Sequence, residues 1–308
     1  MTVKTLCSLF LGLAFTTACS EQSDSFKNTL PDSSAIVGGT AVSSNDPISK
    51  STALLLGLKV KKIGGGSIIT GYSICTATLV SNNIVLTAGH CSAKNPRTSF
   101  LLFSTQIPTD WENFINSIPT NPLVRQVAAG VTAPGWKALK DGQMTNWGDI
   151  ALLRFVGDAP KGYGPAKLAP KSLGLRSQQT LILAGYGLTD GVNKTSAKQL
   201  MKAPVNIANA NFSETEMKMD NTDGRSACHG DSGGPAYAKT AMGSSVLAGI
   251  TSRSDIMTDP NSKCIGKTIY TKVQPYLGWI SSEMNKLNTV PGYGVVIAQP
   301  FEEDVVLQ

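Results

Sequence analysis

Short apolar, β-branched runs recur along most of the chain. They are Leu54–Val60, Ile74–Val80, Ile84–Leu86, Phe100–Phe103, Ile150–Val156, Leu181–Leu183, Val246–Thr251 and Thr268–Val273. Gly, Pro, Asn and Ser punctuate the gaps, so the rhythm predicts an all-β fold of the sandwich or barrel kind. Gly157–Pro170 carries three prolines between apolar runs and reads as a linker. One segment breaks the rhythm: Tyr276–Leu287 (YLGWISSEMNKL) places apolar residues at helical spacing and predicts a helix. The last twenty residues, 289–308, carry no pattern beyond that helix.

The N-terminus differs. Lys4 precedes an apolar run, Leu6 to Phe15, which ends in the small residues Thr16, Thr17 and Ala18 before Cys19. Charge, short apolar segment and small residues match a secretory signal peptide over 1–18. The run is too short for a permanent membrane span. Small residues before Cys19 also resemble a lipoprotein signal, making Cys19 the lipidation candidate and the outer membrane or periplasm the expected location. The usual Leu three positions before that cysteine is Thr16 here. Ordinary cleavage after Ala18 would give a secreted protein. Residues 19–35 are polar and Ser-rich and read as a tether or propeptide.

Composition narrows the classes. The 308 residues are 41% hydrophobic and 16% charged, which excludes a disordered or coiled-coil chain. A net charge of +6 without a like-charge block gives no argument for nucleic acid. Six cysteines without CxxC spacing and only two histidines argue against a zinc site, and the catalytic reading below implies no metal or organic cofactor. With Cys7 and Cys19 assigned to export, Cys75, Cys91, Cys228 and Cys264 remain. Four cysteines allow three pairings, and spacing does not choose among them.

Three segments carry chemistry. His90 lies in LTAGHC after an apolar strand, Asp149 in NWGDIALLRF before another, and Ser232 in CHGDSGGP. A hydroxyl becomes an effective nucleophile when an imidazole takes its proton and a carboxylate fixes that imidazole's tautomer. Glycines around Ser232 let the backbone N–H groups of Gly230 and Ser232 face a developing oxyanion. Asp141 and Asp190 compete with Asp149 as orienter, but neither enters an apolar strand. Asp231 adjoins Ser232, and adjacent residues rarely face each other across a site. His229 reads as a residue at the rim of a pocket.

Together these segments resemble the trypsin/chymotrypsin family of serine peptidases, over roughly Ile36 to Leu287. IVGGT (36–40), CTATLV (75–80), LTAGHC (86–91), DIALL (149–153), GYG (185–187), GDSGGP (230–235) and IYTKV (269–273) fall in the family's order. The resemblance implies two packed six-stranded antiparallel β-barrels, 36–160 and 161–288, the second ending in the helix. It implies a monomeric endopeptidase acting on polypeptides, with His90, Asp149 and Ser232 as catalytic residues and Ser252 orienting Asp149. It implies disulfides Cys75–Cys91 and Cys228–Cys264.

It also implies a zymogen cut between Ala35 and Ile36, whose new α-ammonium pairs with Asp231. Family zymogens are often cut after Lys or Arg, whereas this chain presents Ala35. By position the specificity pocket falls to Ser226, Ser254 and Thr268. Ser226 stands where members that cut after Arg or Lys have Asp, and side chains at 254 and 268 replace glycines of many members. The implied preference is for small or medium uncharged residues, which would make Ala35 a self-processing site. A hydrophobic slot for larger residues is the alternative, and Asp255 and Arg253 nearby would overturn the preference, since a displaced acid still receives a basic side chain. A non-catalytic binding homologue and an esterase are the rival readings of the whole chain.

Overall fold

The computed structural model describes residues 36–64, 66–92, 98–136, 145–261 and 263–289. The signal segment, Cys19, the tether and residues 290–308 lie outside the described residues.

Six antiparallel strands close a first barrel: β2 (Thr52–Ile63), β3 (Gly66–Ser81), β4 (Ile84–Thr87), β5 (Ser99–Leu102), β6 (Val124–Thr132) and β7 (Ala151–Phe155). They run in the order β2-β3-β4-β7-β6-β5, and β5 pairs back onto β2. Residues pointing inward, among them Leu55, Leu79, Val85, Leu101, Leu153 and Phe155, form its core. Alternation along each strand is what allows one face to fill while the other meets solvent or the second barrel.

The second barrel uses β8 (Thr180–Gly185), β11 (Met201–Asn209), β12 (Glu216–Asp220), β13 (Pro235–Lys239), β14 (Ser245–Ser254) and β15 (Thr268–Lys272). Their order is β8-β11-β12-β15-β14-β13, with β13 closing onto β8. A short strand, β1 (Thr40–Ala41), adds to the edge of β11, and β9 (Leu188–Asp190) pairs with β10 (Thr195–Ser196) in a separate hairpin. Leu181, Leu183, Val205, Met217, Met219, Ala248 and Tyr270 fill this barrel.

A third apolar layer joins the two. Ile84, Leu86, Ile150 and Leu152 of the first barrel meet Tyr237, Leu247 and Ile250 of the second, together with Ile280 and Leu287 of the C-terminal helix. That helix, α2 (Leu277–Thr289), therefore buries one stripe against β6 and β7 while the rest stays in water. It occupies the predicted helical segment with its ends shifted by one and two residues. The segment 157–170 is a packed connection rather than a loose linker. Ala169 is buried, Tyr163 stacks edge-on against Phe103, and the Tyr163 hydroxyl donates to the Phe103 carbonyl at 2.7 Å.

Four barrel strands were not visible in the apolar rhythm: β6, β11, β12 and β13. In β11 the proline at 204 argues against a strand. It is tolerated because its outer edge is between partners there: β1 pairs with residues 201–202 and β12 with 206–209. In β12 (EMKMD) charge masks the alternation, although Met217 and Met219 both point into the core. The helix α1 (Trp111–Ser117) is also additional. Its N-cap is Asp110, whose carboxylate accepts from the Asn113 N–H at 3.0 Å.

Disulfides join Cys75 to Cys91 and Cys228 to Cys264, closing sequence separations of 16 and 36 residues. The chain-entropy estimate gives about 3 kcal/mol for the first and about 4 kcal/mol for the second. Replacing Cys75 and Cys91 together by Ala is expected to lower the unfolding free energy by about 3 kcal/mol in urea denaturation. An unchanged midpoint would contradict that assignment.

Candidate active site

The pairing of β4 with β7 places the first two side chains. Thr87, the last residue of β4, sits opposite Ala151, the first of β7. His90 lies three residues beyond Thr87, in a single 3-10 turn, Gly89–Cys91, and Asp149 lies two residues before Ala151. Antiparallel geometry therefore brings both to the same end of the first barrel. His90 Nδ1 is 2.9 Å from Asp149 Oδ2, and the His90 backbone N–H donates to Asp149 Oδ1, also at 2.9 Å. Both carboxylate oxygens are committed to one residue. The Asp149 side chain is 1% exposed, whereas that of His90 is 36% exposed.

The second barrel adds a third ligand to that carboxylate. Ser252 Oγ donates to Asp149 Oδ2 at 2.6 Å, and Thr271 Oγ1 donates to the Asp149 carbonyl at 3.0 Å. A buried carboxylate with this many donors is held in one orientation. Holding Nδ1–H against Asp149 leaves Nε2 as the unprotonated nitrogen, the form that accepts a proton.

Ser232 comes from the loop between β12 and β13. Its carbonyl accepts from the Thr76 N–H of β3 at 2.8 Å, and the next N–H, of Gly233, donates to Thr251 of β14 at 2.8 Å. The loop is thus fastened to both barrels within two residues. Gly233 is obligatory here: its φ is +81°, and a Cβ would lie 2.0 Å from Thr87 Oγ1. Among the described residues, neither the Gly230 nor the Ser232 N–H has a protein acceptor. These two N–H groups are the donors available to an oxyanion.

Beneath this loop lies Asp231, 0% exposed. Its carboxylate accepts from the N–H groups of Gly187 and Cys228, both at 2.8 Å, and from the Ile36 backbone N–H. Burial pushes its pKa up to about 7, against the lowering effect of those three bonds. Gly187 makes room for it: a Cβ there would sit 2.5 Å from the carboxylate. Ile36 itself is buried with φ +55°, a left-handed conformation that a β-branched residue adopts only under strain.

Ser226 and Thr268 lie close together, both buried, and Ser254 is the β-partner of Thr268. Asn221 bridges the first two: its Nδ2 donates to Ser226 Oγ at 2.8 Å and to Thr268 Oγ1 at 3.3 Å. Sequence reading missed Asn221, since nothing local ties an Asn after β12 to residues five and forty-seven positions away. Arg253 and Asp255 each have an ionic partner. Lys218 Nζ binds Asp255 at 2.7 Å, and Arg253 binds Glu216. Beside Gly230 a cleft of about 490 Å³ opens, walled by Tyr72, Trp111, Leu188 and His229. Of the rival orienters, Asp190 is half-buried and caps the β9–β10 turn through Val192 and Asn193, and Asp141 lies outside the described residues. One grouping of metal-ligating types occurs among the described residues, Cys75, His90 and Cys91, and its two sulfurs are joined in a disulfide.

Glu216 and Arg253 form an unanticipated buried pair behind Asp149. The Arg253 guanidinium binds both Glu216 oxygens, at 2.7 and 3.2 Å, lies 3.6 Å over the Trp147 ring and donates to Ser252 Oγ at 3.3 Å. Glu216, 0% exposed, also accepts from the backbone N–H groups of Asn146 and Trp147, which lead into Asp149. The pair therefore anchors the approach to Asp149 and the hydroxyl that orients it. Arg253→Met, which strands the Glu216 carboxylate, is expected to cost about 3–5 kcal/mol of stability in chemical denaturation. A loss below about 1 kcal/mol, the range of an exposed pair, would contradict this.

Comparison with known proteins identifies the family. The chain is 25% identical to Phenoloxidase-activating factor 3 of Holotrichia diomphalia, over 68% of this chain and 64% of that one. It therefore spans just under two thirds of that relative's length. It is 28% identical to Kallikrein-8 of Rattus norvegicus over 69% of this chain and 78% of the relative. Against Chymotrypsin-like elastase family member 1 of Bos taurus it is 27% identical, over 82% and 91%. Its fold is similar to the solved structure of neuropsin, a serine protease expressed in the limbic system of mouse brain. That match has a TM-score of 0.58 at 24% identity, covering 81% of this chain and all of that one. The Trypsin family model matches residues 60–280, more than two thirds of the sequence, and the chain belongs to the trypsin family of serine proteases.

Proposed function

We propose that the protein is an exported serine endopeptidase, made as a zymogen, that cleaves polypeptides after small or medium uncharged residues. The observation that carries this reading is the Asp149 carboxylate bound to both His90 nitrogens that face it, with Nε2 left free. In the reaction Ser232 Oγ attacks the scissile carbonyl carbon as its proton passes to His90 Nε2. The tetrahedral oxyanion is held by the Gly230 and Ser232 N–H groups. His90 then gives that proton to the leaving amine, and the C–N bond breaks. Water attacks the acyl-enzyme by the same route, releasing the acid and restoring Ser232. The cleft beside Gly230 takes the residues that follow the scissile bond. No metal or cofactor is needed for these steps. Ser232→Ala and His90→Ala are each expected to lower kcat on a peptide substrate by at least ~10⁴-fold, and the double variant little further. Losses that multiply would mean the two side chains act independently.

The export reading draws on the apolar segment before Cys19 and on two disulfides, which persist in oxidising compartments. Lipidation at Cys19 would hold the protein on a membrane, and the working form is a monomer acting on polypeptides rather than nucleic acid.

Activation is the cut before Ile36. In the intact chain Asp231 has only neutral N–H partners. Its raised pKa means that its contribution to stability is present below about pH 4 and is lost as pH rises through about 7. The new α-ammonium of Ile36 supplies the missing charge and removes that loss, and cutting the peptide bond also frees φ of Ile36. In a Ser232→Ala background, the cut form is therefore expected to gain on the intact form by about 2–3 kcal/mol between pH 5 and pH 7.5. A pH-independent difference would contradict the pairing. The pocket preference makes Ala35 a substrate of the enzyme itself. The exported Ser232→Ala protein, purified from other peptidases, is expected to keep its residues before Ile36, and their loss would contradict self-processing.

A further inference from the structure

We propose that Asn221 is the residue that closes the specificity pocket and sets its preference for small side chains. This rests on the pocket assignment made above. Asn221 is 4% exposed, and its Nδ2 is shared among Ser226 Oγ, Thr268 Oγ1 and the Gly266 carbonyl. The amide therefore fills the space between the base residue and the wall residue, which are 1% and 2% exposed.

Stability does not account for this arrangement. Asn221 Oδ1 is buried with no hydrogen-bond partner. An acceptor stripped of water and left unpaired opposes folding. Ser226 does not require the amide either, since its hydroxyl donates to the Ala227 carbonyl at 2.9 Å. What the side chain supplies is volume and a polar floor. Its neutrality matters as well. Lys218 pairs with Asp255 and Arg253 with Glu216, and the carboxylate of the buried Asp259, close to Gly266, is occupied by the Lys263 and Cys264 N–H groups, so the amide floor itself offers a cationic substrate side chain no counter-charge. A substrate side chain of two or more carbons beyond Cβ has to displace the amide, and each displaced bond leaves another buried group unpaired. The closure therefore discriminates by size and by desolvation together.

The test uses the protein cut before Ile36 and a peptide series differing only in the residue before the scissile bond: Ala, Val, Leu, Met, Phe and Lys. Asn221→Gly removes the closure, and Asn221→Ser, which keeps a hydroxyl donor for Thr268, covers the case in which the glycine variant does not fold. Thr222→Ala, at an exposed neighbour, is the control. The kcat/KM ratio of the Leu or Phe peptide to the Ala peptide is expected to rise at least about tenfold in Asn221→Gly and by less in Asn221→Ser. General damage to the fold would lower all substrates together and leave the ratio unmoved. A ratio within about threefold of the wild type in every variant that folds overturns the proposal. Wild-type turnover of the Ala peptide tests the parent reading separately. Its absence removes both, whereas turnover with an unmoved ratio removes only the role of Asn221.

Discussion

The carboxylate of Asp231 is the constraint on which the rest of the site depends. It is wholly buried, adjoins Ser232 and is held by N–H groups from three separate parts of the chain: Ile36, Gly187 and Cys228. An ionised acid in such a place is costly without a cation, and the protein positions one chain segment, Ile36, whose amide becomes an ammonium when the bond before it is cut. Around this group the GYG segment packs so closely that a Cβ at 187 would overlap the carboxylate. The loop carrying Gly230 and Ser232 is built directly on top. In the proposed activation, its conformation, and hence the direction of its N–H groups, is coupled to the state of Asp231.

The barrels divide the remaining work. The first holds His90 and Asp149 at one end through the β4–β7 register. The second reaches across with Ser252, Thr271 and the Glu216–Arg253 pair, so the orientation of Asp149 depends on both. Interior ion pairs are costly to assemble, and this one recovers its desolvation through bidentate geometry, the Trp147 face and two backbone N–H groups.

Much of this was legible in the sequence because it is local. His90, Asp149 and Ser232 each sit in a short segment whose neighbours carry the structural reason for the residue: a strand end, a strand start, a glycine-rich loop. The strands rich in Leu, Ile and Val were equally plain. What stayed hidden is long-range or compensated. β12 reads as charged because Glu216 is buried against a partner thirty-seven residues away. β11 carries a proline that only the gap between its neighbours excuses. Asn221 acquires meaning only once Ser226 and Thr268 are folded against it. Arg253 and Asp255 looked able to change the pocket's charge, and each instead has its own ionic partner.

The coupling between Ile36, Asp231 and the Ser232 loop is read out by the rate at which a fluorophosphonate labels Ser232. The measurement compares the intact chain with the same chain cut before Ile36, under identical conditions. The account predicts labelling at least ~10³-fold faster in the cut protein, because the oxyanion donors are aligned only when Asp231 has its ammonium partner. Equal rates in the two forms would contradict it.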